Sequence, residues 1–236
     1  MIKTVGIIGG IAPASTIEYY RKIIDAYLVG EATGHYPHII INSIDMTKML
    51  SLIGDGEWDT VARYLADEVN RLASAGVDFG VLASNTPHIV FDRVCELSLL
   101  PLISIVEATA QEVLAVGLDK VALFGTRFTM QGGFYRDVLL QHGIEVITPD
   151  AVDQDFIHKK YMEELVKGTI LDDTRSGLIT IIEKIRQQHD IQGVILGGTE
   201  LPLILKPEYV ASIHVFDTTE IHVASIMNRL LPTSNG

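Results

Sequence analysis

Two short runs carry side chains suited to handling a small charged molecule: Ala83-Ser84-Asn85-Thr86-Pro87-His88 and Gly197-Gly198-Thr199-Glu200-Leu201-Pro202. Each follows an apolar β-branched run, so each is expected to leave the end of a buried strand. Ser84, Asn85 and Thr86 offer two hydroxyls and an amide; Thr199 and Glu200 offer a hydroxyl and a carboxylate. On rigid strand ends such groups can hold the oxygens and the ammonium of a small amino acid with little entropy lost on ordering. Capping of the turns is the plainer use of the same hydroxyls. Three of these residues are candidates to move protons. Ser84 needs a neighbouring base to act. His88 titrates in the useful range, although a histidine there equally serves to hydrogen-bond backbone. Glu200 either shifts a neighbour's pKa or binds the substrate ammonium.

A third run, Gly9-Gly10-Ile11-Ala12-Pro13-Ala14-Ser15-Thr16, ends a strand and opens a helix. Amides at such a start attract anions, and Gly10 is read as part of a carboxylate-binding turn, with a purely structural turn as the alternative. The run is neither a P-loop nor Gly-x-Gly-x-x-Gly, so a nucleotide is not indicated. Thr126 and Arg127 follow a further strand end. Lys48, Arg127, Lys159 and Lys160 are the cations available to pair with a side-chain carboxylate, or are simply solvated.

Composition narrows the partners. The 236 residues, 47% hydrophobic, suffice for one large core or two domains. A net charge of -12 with no basic run argues against nucleic acid. Apolar stretches are too short to cross a bilayer, where about 20 residues are needed. Residues 1–6 are read as the opening of a strand, leaving no room for a leader, and a cytoplasmic protein is expected. One cysteine, Cys95, permits no internal disulfide. Seven residues from His88, it would sit about 10 Å away along a helix, and it is read as a small core residue. The eight histidines show no metal-ligand spacing, so no metal is expected.

The elements that must position these loops form an α/β pattern: short apolar runs alternating with helical stretches. Strands are expected at Thr4–Ile8, His38–Ile44, Phe79–Ala83, Leu100–Ile103, Lys120–Phe124, Glu145–Ile147, Gly193–Leu196 and Ile213–Phe216. Helices are expected at Ser15–Leu28, with a stripe of Ile17, Tyr20, Ile24 and Tyr27, and at Asp59–Ala75, with Val61, Leu65, Val69 and Leu72. Gly76 and Gly117 stand where helices should stop. Further helices are expected at Val106–Val116, Gln131–Gln141, Asp155–Lys167 and Thr174–Gln188.

The chain also repeats itself. Val5-Gly6-Ile7-Ile8-Gly9-Gly10 weakly resembles Val121-Ala122-Leu123-Phe124-Gly125-Thr126, and Val81-Leu82-Ala83-Ser84 weakly resembles Ile195-Leu196-Gly197-Gly198, unless these are the strand-glycine look-alikes any α/β chain yields. The offsets, 116 residues from Gly9 to Gly125 and 114 from Ser84 to Gly198, agree closely. Two pseudo-symmetric α/β domains with parallel-type sheets flanked by helices follow: residues 1–100 with 213–236, and residues 101–212. Ligands of parallel sheets collect beyond the carboxyl ends of the strands, so the site is expected in the interdomain cleft.

The ordered set of motifs resembles the aspartate/glutamate racemase family. It comprises Gly9-Gly10 with Pro13 and Thr16, Asn85-Thr86-Pro87-His88, Gly125-Thr126-Arg127-Phe128-Thr129-Met130 with Phe134-Tyr135, Gly143-Ile144 before Pro149, Glu164-Leu165 before Gly168, Gly197 with Thr199-Glu200-Leu201-Pro202-Leu203, and Asp217-Thr218 with Ile221-His222. The resemblance implies two similar α/β domains facing each other, a last helix returning to the first domain, and cofactor-independent inversion of an acidic amino acid by one thiol from each domain. Ser84 and Gly198 stand where those two cysteines would be. Racemisation by facing thiols therefore does not carry over. Lys159 is favoured among the cations because its segment resembles a substrate-binding helix of the family.

The reading is a cofactor-independent, racemase-like isomerase of aspartate, glutamate or a related small amino acid. Its catalytic candidates are Ser84, Glu200 and His88; its binding candidates are Gly10, Asn85, Thr86, Thr126, Lys159, Gly198 and Thr199. One-sided lyase or decarboxylase chemistry on a related carboxylate and a silent amino-acid-binding protein are the alternatives. A homodimer is expected, with Ile23-Ile24 and residues 210–213 as apolar surfaces. If the cleft geometry is retained, Ser84→Cys with Gly198→Cys is expected to create or strongly raise aspartate or glutamate racemisation.

Overall fold

A computed structural model describes residues 3–30, 35–210 and 213–231. The chain divides into two compact units, Met1–Ile105 with His222–Gly236, and Val106–Ile221. In the first, β1 (Thr4–Gly9), β2 (His38–Ser43), β3 (Phe79–Leu82) and β4 (Leu102–Ile103) form a parallel sheet in the order β2-β1-β3-β4. In the second, β5 (Lys120–Gly125), β6 (Glu145–Ile147), β7 (Gly193–Gly197) and β8 (His214–Asp217) repeat that order as β6-β5-β7-β8. The internal duplication is thus a repeated topology. All eight expected strands form, β6 with the expected bounds and the other seven with shifts of one or two residues at one or both ends. The chain returns to the first unit at His222 and not near 213, because His214–Asp217 is hydrogen-bonded to β7. Residues 1–2, and residues 211–212 of the anticipated 210–213 surface, lie outside the described residues.

The helices are α1 (Pro13–Gly30), α2 (Met46–Gly54), α3 (Trp58–Ser74), α4 (Phe91–Leu97), α5 (Ile105–Val116), α6 (Arg127–Gln131), α7 (Phe134–Gln141), α8 (Ala151–Glu163), α9 (Asp172–His189) and α10 (Thr218–Leu230). On α3 the expected stripe of Val61, Leu65, Val69 and Leu72 is buried. On α1 the stripe is different: Ser15, Tyr19, Ile23 and Tyr27 face the core, at strict four-residue spacing, while Ile17 and Tyr20 are exposed. Ile23, anticipated on an apolar surface, is fully buried. Tyr19 and Tyr27 reach the sheet because their rings are long enough to cross from the helix axis to β1 and β3, with which they share a cluster.

Local chemistry accounts for the remaining boundaries. Gly76 and Gly117 both take positive φ, +83° and +80°, and stop α3 and α5 as anticipated. The expected helix 131–141 starts only at Phe134, because Gly133 at φ +79° opens α7, and α6 before it was not anticipated. α8 starts earlier than expected, since the Asp150 carboxylate accepts from the amides of Val152 and Asp153. α2 and α4 were not anticipated; α2 is capped by Asp45 accepting from the amides of Thr47 and Lys48. Cys95 is not a core residue: it is exposed on α4, while Val94 beside it fills the core. Partial enclosure of the thiol, and then Asp92, push it up to about 11. Among the described residues no helix is long and apolar enough to cross a membrane.

Candidate functional site

In the first unit Ile8 lies opposite Leu82 in the β1–β3 register, so Gly10 and Ser84 emerge from adjacent strand ends. Gly10 has φ +85°, and its amide donates to the Thr16 hydroxyl at 2.8 Å. A Cβ there would stand 2.4 Å from the Ile44 carbonyl oxygen. Side chain and conformation are both excluded. Gly10→Ala is therefore expected to cost about 2 kcal/mol or more of stability, measured as a drop in the urea midpoint; an unchanged midpoint would show that the turn relaxes freely.

Ser84, Asn85 and Thr86 follow β3 and are all buried or nearly so, at 9%, 2% and 5% exposure. Among the described residues none hydrogen-bonds the Ser84 hydroxyl; its amide donates to Leu82 O and its carbonyl is taken by His88. His88 makes the backbone hydrogen bonds named as its alternative use. Its Nε2 accepts from the Ile105 amide at 3.3 Å, so Nδ1 carries the hydrogen and donates to Ser84 O at 3.0 Å. The ring stacks on Phe91 with centroids 4.7 Å apart. Burial first, and then the neighbouring His222, hold it at about 3. With both nitrogens engaged on backbone, His88 braces the loop.

His222, quoted in the sequence but given no role, completes this arrangement. Its Nε2 faces Ile103 O at 3.1 Å and must donate, so Nδ1 accepts from the Tyr19 hydroxyl at 2.8 Å. Burial lowers it to about 4. The two imidazoles therefore fasten the backbone of residues 103–105, the end of the first unit's long segment.

In the second unit Gly125 lies opposite Gly197, so Thr126 and Gly198 leave adjacent strand ends, as Gly10 and Ser84 do in the first. Thr126 is the N-cap of α6, its hydroxyl accepting from the Thr129 amide at 3.2 Å. The plain capping use holds for it. Arg127 pairs with Asp155 at 2.7 Å, and its amide donates to His158 Nδ1. Lys160 pairs with Glu164, and Lys48 lies over the Tyr64 ring.

Glu200 is 3% exposed. Its Oε2 accepts from the Thr199 hydroxyl at 2.8 Å and from the Tyr161 phenol in a very short contact. Lys159 is exposed on α8. The α8 residue that meets the β7 turn is instead Tyr161, two positions on and on the opposite side of the helix. Tyr161 was missed because only its register on α8, after Gln154 and Ile157 on the buried stripe, aims it at Gly198. A Cβ on Gly198 would fall 2.5 Å from Tyr161 Cε2. The space a side chain at 198 needs is already filled. A cysteine at 198 would therefore need Tyr161 to shift. Among the described residues no cluster of three or more His, Cys, Asp or Glu is arranged to hold a metal.

The chain thus has polar strand-end turns at equivalent places of two sheets with one topology, and comparison with known proteins agrees in extent with that whole-chain pattern. The family model for Asp/Glu/hydantoin racemases matches residues 8–226. The broad specificity amino-acid racemase RacX of Bacillus subtilis (strain 168) is 29% identical over 204 residues, covering 85% of this chain and 87% of that protein. A crystal structure from Yersinia pestis, of a protein named as a candidate Asp/Glu racemase, superposes with a TM-score of 0.90 at 38% identity, covering 98% of this chain and 100% of the other. PH1733, an aspartate racemase homologue from Pyrococcus horikoshii OT3, gives 0.84 at 36% identity, with 97% and 99% covered. Matched over nearly its full length by the family model and by both structures, the chain belongs to the Asp/Glu/hydantoin racemase family.

Proposed function

We propose that this protein is a cofactor-independent, racemase-like isomerase of a small amino acid, with aspartate, glutamate or a close relative as substrate. The observation that carries this reading is a family match running through both repeated sheets, with a polar turn at each of the two equivalent strand ends, 84–86 and 198–200. Gly10, Asn85, Thr86 and Thr199 supply amides, an amide side chain and hydroxyls for the substrate's carboxylate and ammonium. Glu200 is the ionisable group: its carboxylate takes the proton as the Cα–H bond breaks. The proton returned to carbon comes by way of the Ser84 hydroxyl, directly or through water. A homodimer in the cytoplasm completes the reading.

One observation favours a second reading, one-sided proton exchange or elimination. His88, the histidine of the same loop, does not serve Ser84 as a base, because it spends both nitrogens on backbone. The two readings part in D2O. The purified protein, incubated with each L-amino acid, is expected to exchange the α-proton of at least one and to invert it, followed by NMR and chiral chromatography. Exchange without inversion selects one-sided chemistry. A ligand-induced rise in melting temperature with no exchange indicates a binding protein and ends the isomerase reading.

A further inference from the structure

The side chain best placed to act on Glu200 is one to which nothing so far assigns a role. Tyr161 lies on the buried stripe of α8 and is 6% exposed, within the core cluster that includes Phe124, Ile157, Leu196 and Leu201. Its ring rests on Gly198: Cε2, Cζ and the phenol oxygen stand 2.5, 3.0 and 3.0 Å from where a Cβ of residue 198 would be. Its hydroxyl donates to Glu200 Oε2, the oxygen that also accepts from Thr199. The Thr199 side chain and the Glu200 amide close on the phenol as well. Burial, and then the charge of Glu200, push the phenol well above its ordinary range, so it stays protonated and remains a donor.

Packing alone does not account for this arrangement. A phenylalanine would cover Gly198 equally well, and a buried hydroxyl without a partner would cost stability. The hydroxyl instead gives the carboxylate a donor from a different element than Thr199. Donors from two elements on one oxygen restrict the orientation of the carboxylate, and a fixed orientation favours efficient proton transfer. Gly198 is the counterpart: any side chain there would push the ring away and break the hold.

We propose that Tyr161 is a positioning residue for the reaction, its hydroxyl holding the Glu200 carboxylate in the productive orientation over a residue 198 that must lack a side chain. The inference rests on the reading of Glu200 as the proton-carrying group.

The test uses the amino acid that the wild-type protein exchanges fastest in D2O. Tyr161→Phe is expected to lower kcat roughly 10- to 100-fold, the value of one hydrogen bond to a charged group, with KM changed less than about 3-fold, as for an interaction that matters in the transition state. Glu200→Gln should lose at least as much, and Tyr161→Phe/Glu200→Gln should lose no more than Glu200→Gln, because the hydroxyl acts only through the carboxylate. Gly198→Ala, which keeps the phenol but displaces the ring, should reproduce the Tyr161→Phe loss and serves if Tyr161→Phe fails to fold. A folded Tyr161→Phe or Gly198→Ala protein with wild-type kcat overturns the inference alone. So does a double variant in which the losses multiply. A wild-type protein that exchanges no amino acid overturns the isomerase reading, and the inference with it.

Discussion

Ser84→Cys/Gly198→Cys is expected to be less stable than the parent and to gain little racemase activity, and the gain should come only when Tyr161 is shortened too. The new Cβ at 198 would meet a ring carbon at 2.5 Å. That ring cannot swing aside cheaply, being enclosed in the core and hydrogen-bonded to Glu200. Overpacking of this kind costs about 1–3 kcal/mol, which for a protein of this size lowers the melting temperature by roughly 2–4 °C per kcal/mol. In a Tyr161→Ala background the same Gly198→Cys change should cost almost nothing, a coupling on the order of 1–3 kcal/mol between neighbouring residues. The thiol then has room at the β7 turn, and thiols suit proton abstraction at neutral pH far better than a serine hydroxyl. Ser84→Cys/Tyr161→Ala/Gly198→Cys should therefore racemise aspartate or glutamate at least about 100-fold faster than the double variant, as read by chiral chromatography. If the double variant melts with the parent, the ring is more yielding than its contacts indicate. If the triple variant folds yet stays inactive, the turns hold some other substrate.

The second large effect is a loss of stability in mild acid. His88 and His222 are buried and neutral, each with a folded-state value below the ordinary 6.5: about 3, from burial and then the neighbouring His222, and about 4, from burial. The unfolded chain therefore binds more protons than the folded one once the pH drops below about 6.5. Stability from these two groups is complete above that pH and drains as pH falls toward about 4 for His222 and about 3 for His88. By pH 4.5 each should have removed about 2–3 kcal/mol, against a total that for most domains is about 5–15 kcal/mol. Their partners among the described residues are the Ser84 and Ile103 carbonyls, the Asn85 backbone, the Ile105 amide, the Tyr19 hydroxyl, the Phe91 ring and each other. Urea midpoints measured from pH 7 to pH 4.5 should fall steeply in the parent protein. In His88→Gln/His222→Gln, whose amides keep a donor and an acceptor without titrating, the slope should be much shallower even if the starting stability is lower. Equal slopes in the two proteins would show that other groups dominate the acid transition.

The amino-acid order by itself determined the class of the fold, because short apolar runs alternating with helical stretches record parallel strands joined by helices, and those of β1, β3, β5 and β7 are buried nearly throughout. All eight were legible, and so was the duplication, since strand, glycine and polar turn recur at nearly constant offset. The sequence also located the turns at 84–86 and 198–200, where short polar residues follow such runs. It misled where three-dimensional direction decides. The stripe of α1 was read at mixed helical spacing, yet the core takes residues at strict four-residue intervals. Cys95 was assigned to the core from apolar neighbours, yet it points outward. His88 was read from its ordinary pKa, and its state is set by burial and by two backbone groups, one of them 17 residues away. Tyr161 and Glu200, separated by 39 residues, meet only because α8 packs across the end of β7. Sequence order records which residues can form a strand or a turn, since those choices are local. Which hydroxyl reaches which carboxylate, and which imidazole is sealed from water, depends on contacts between elements remote in the chain, so only the tertiary structure decided them.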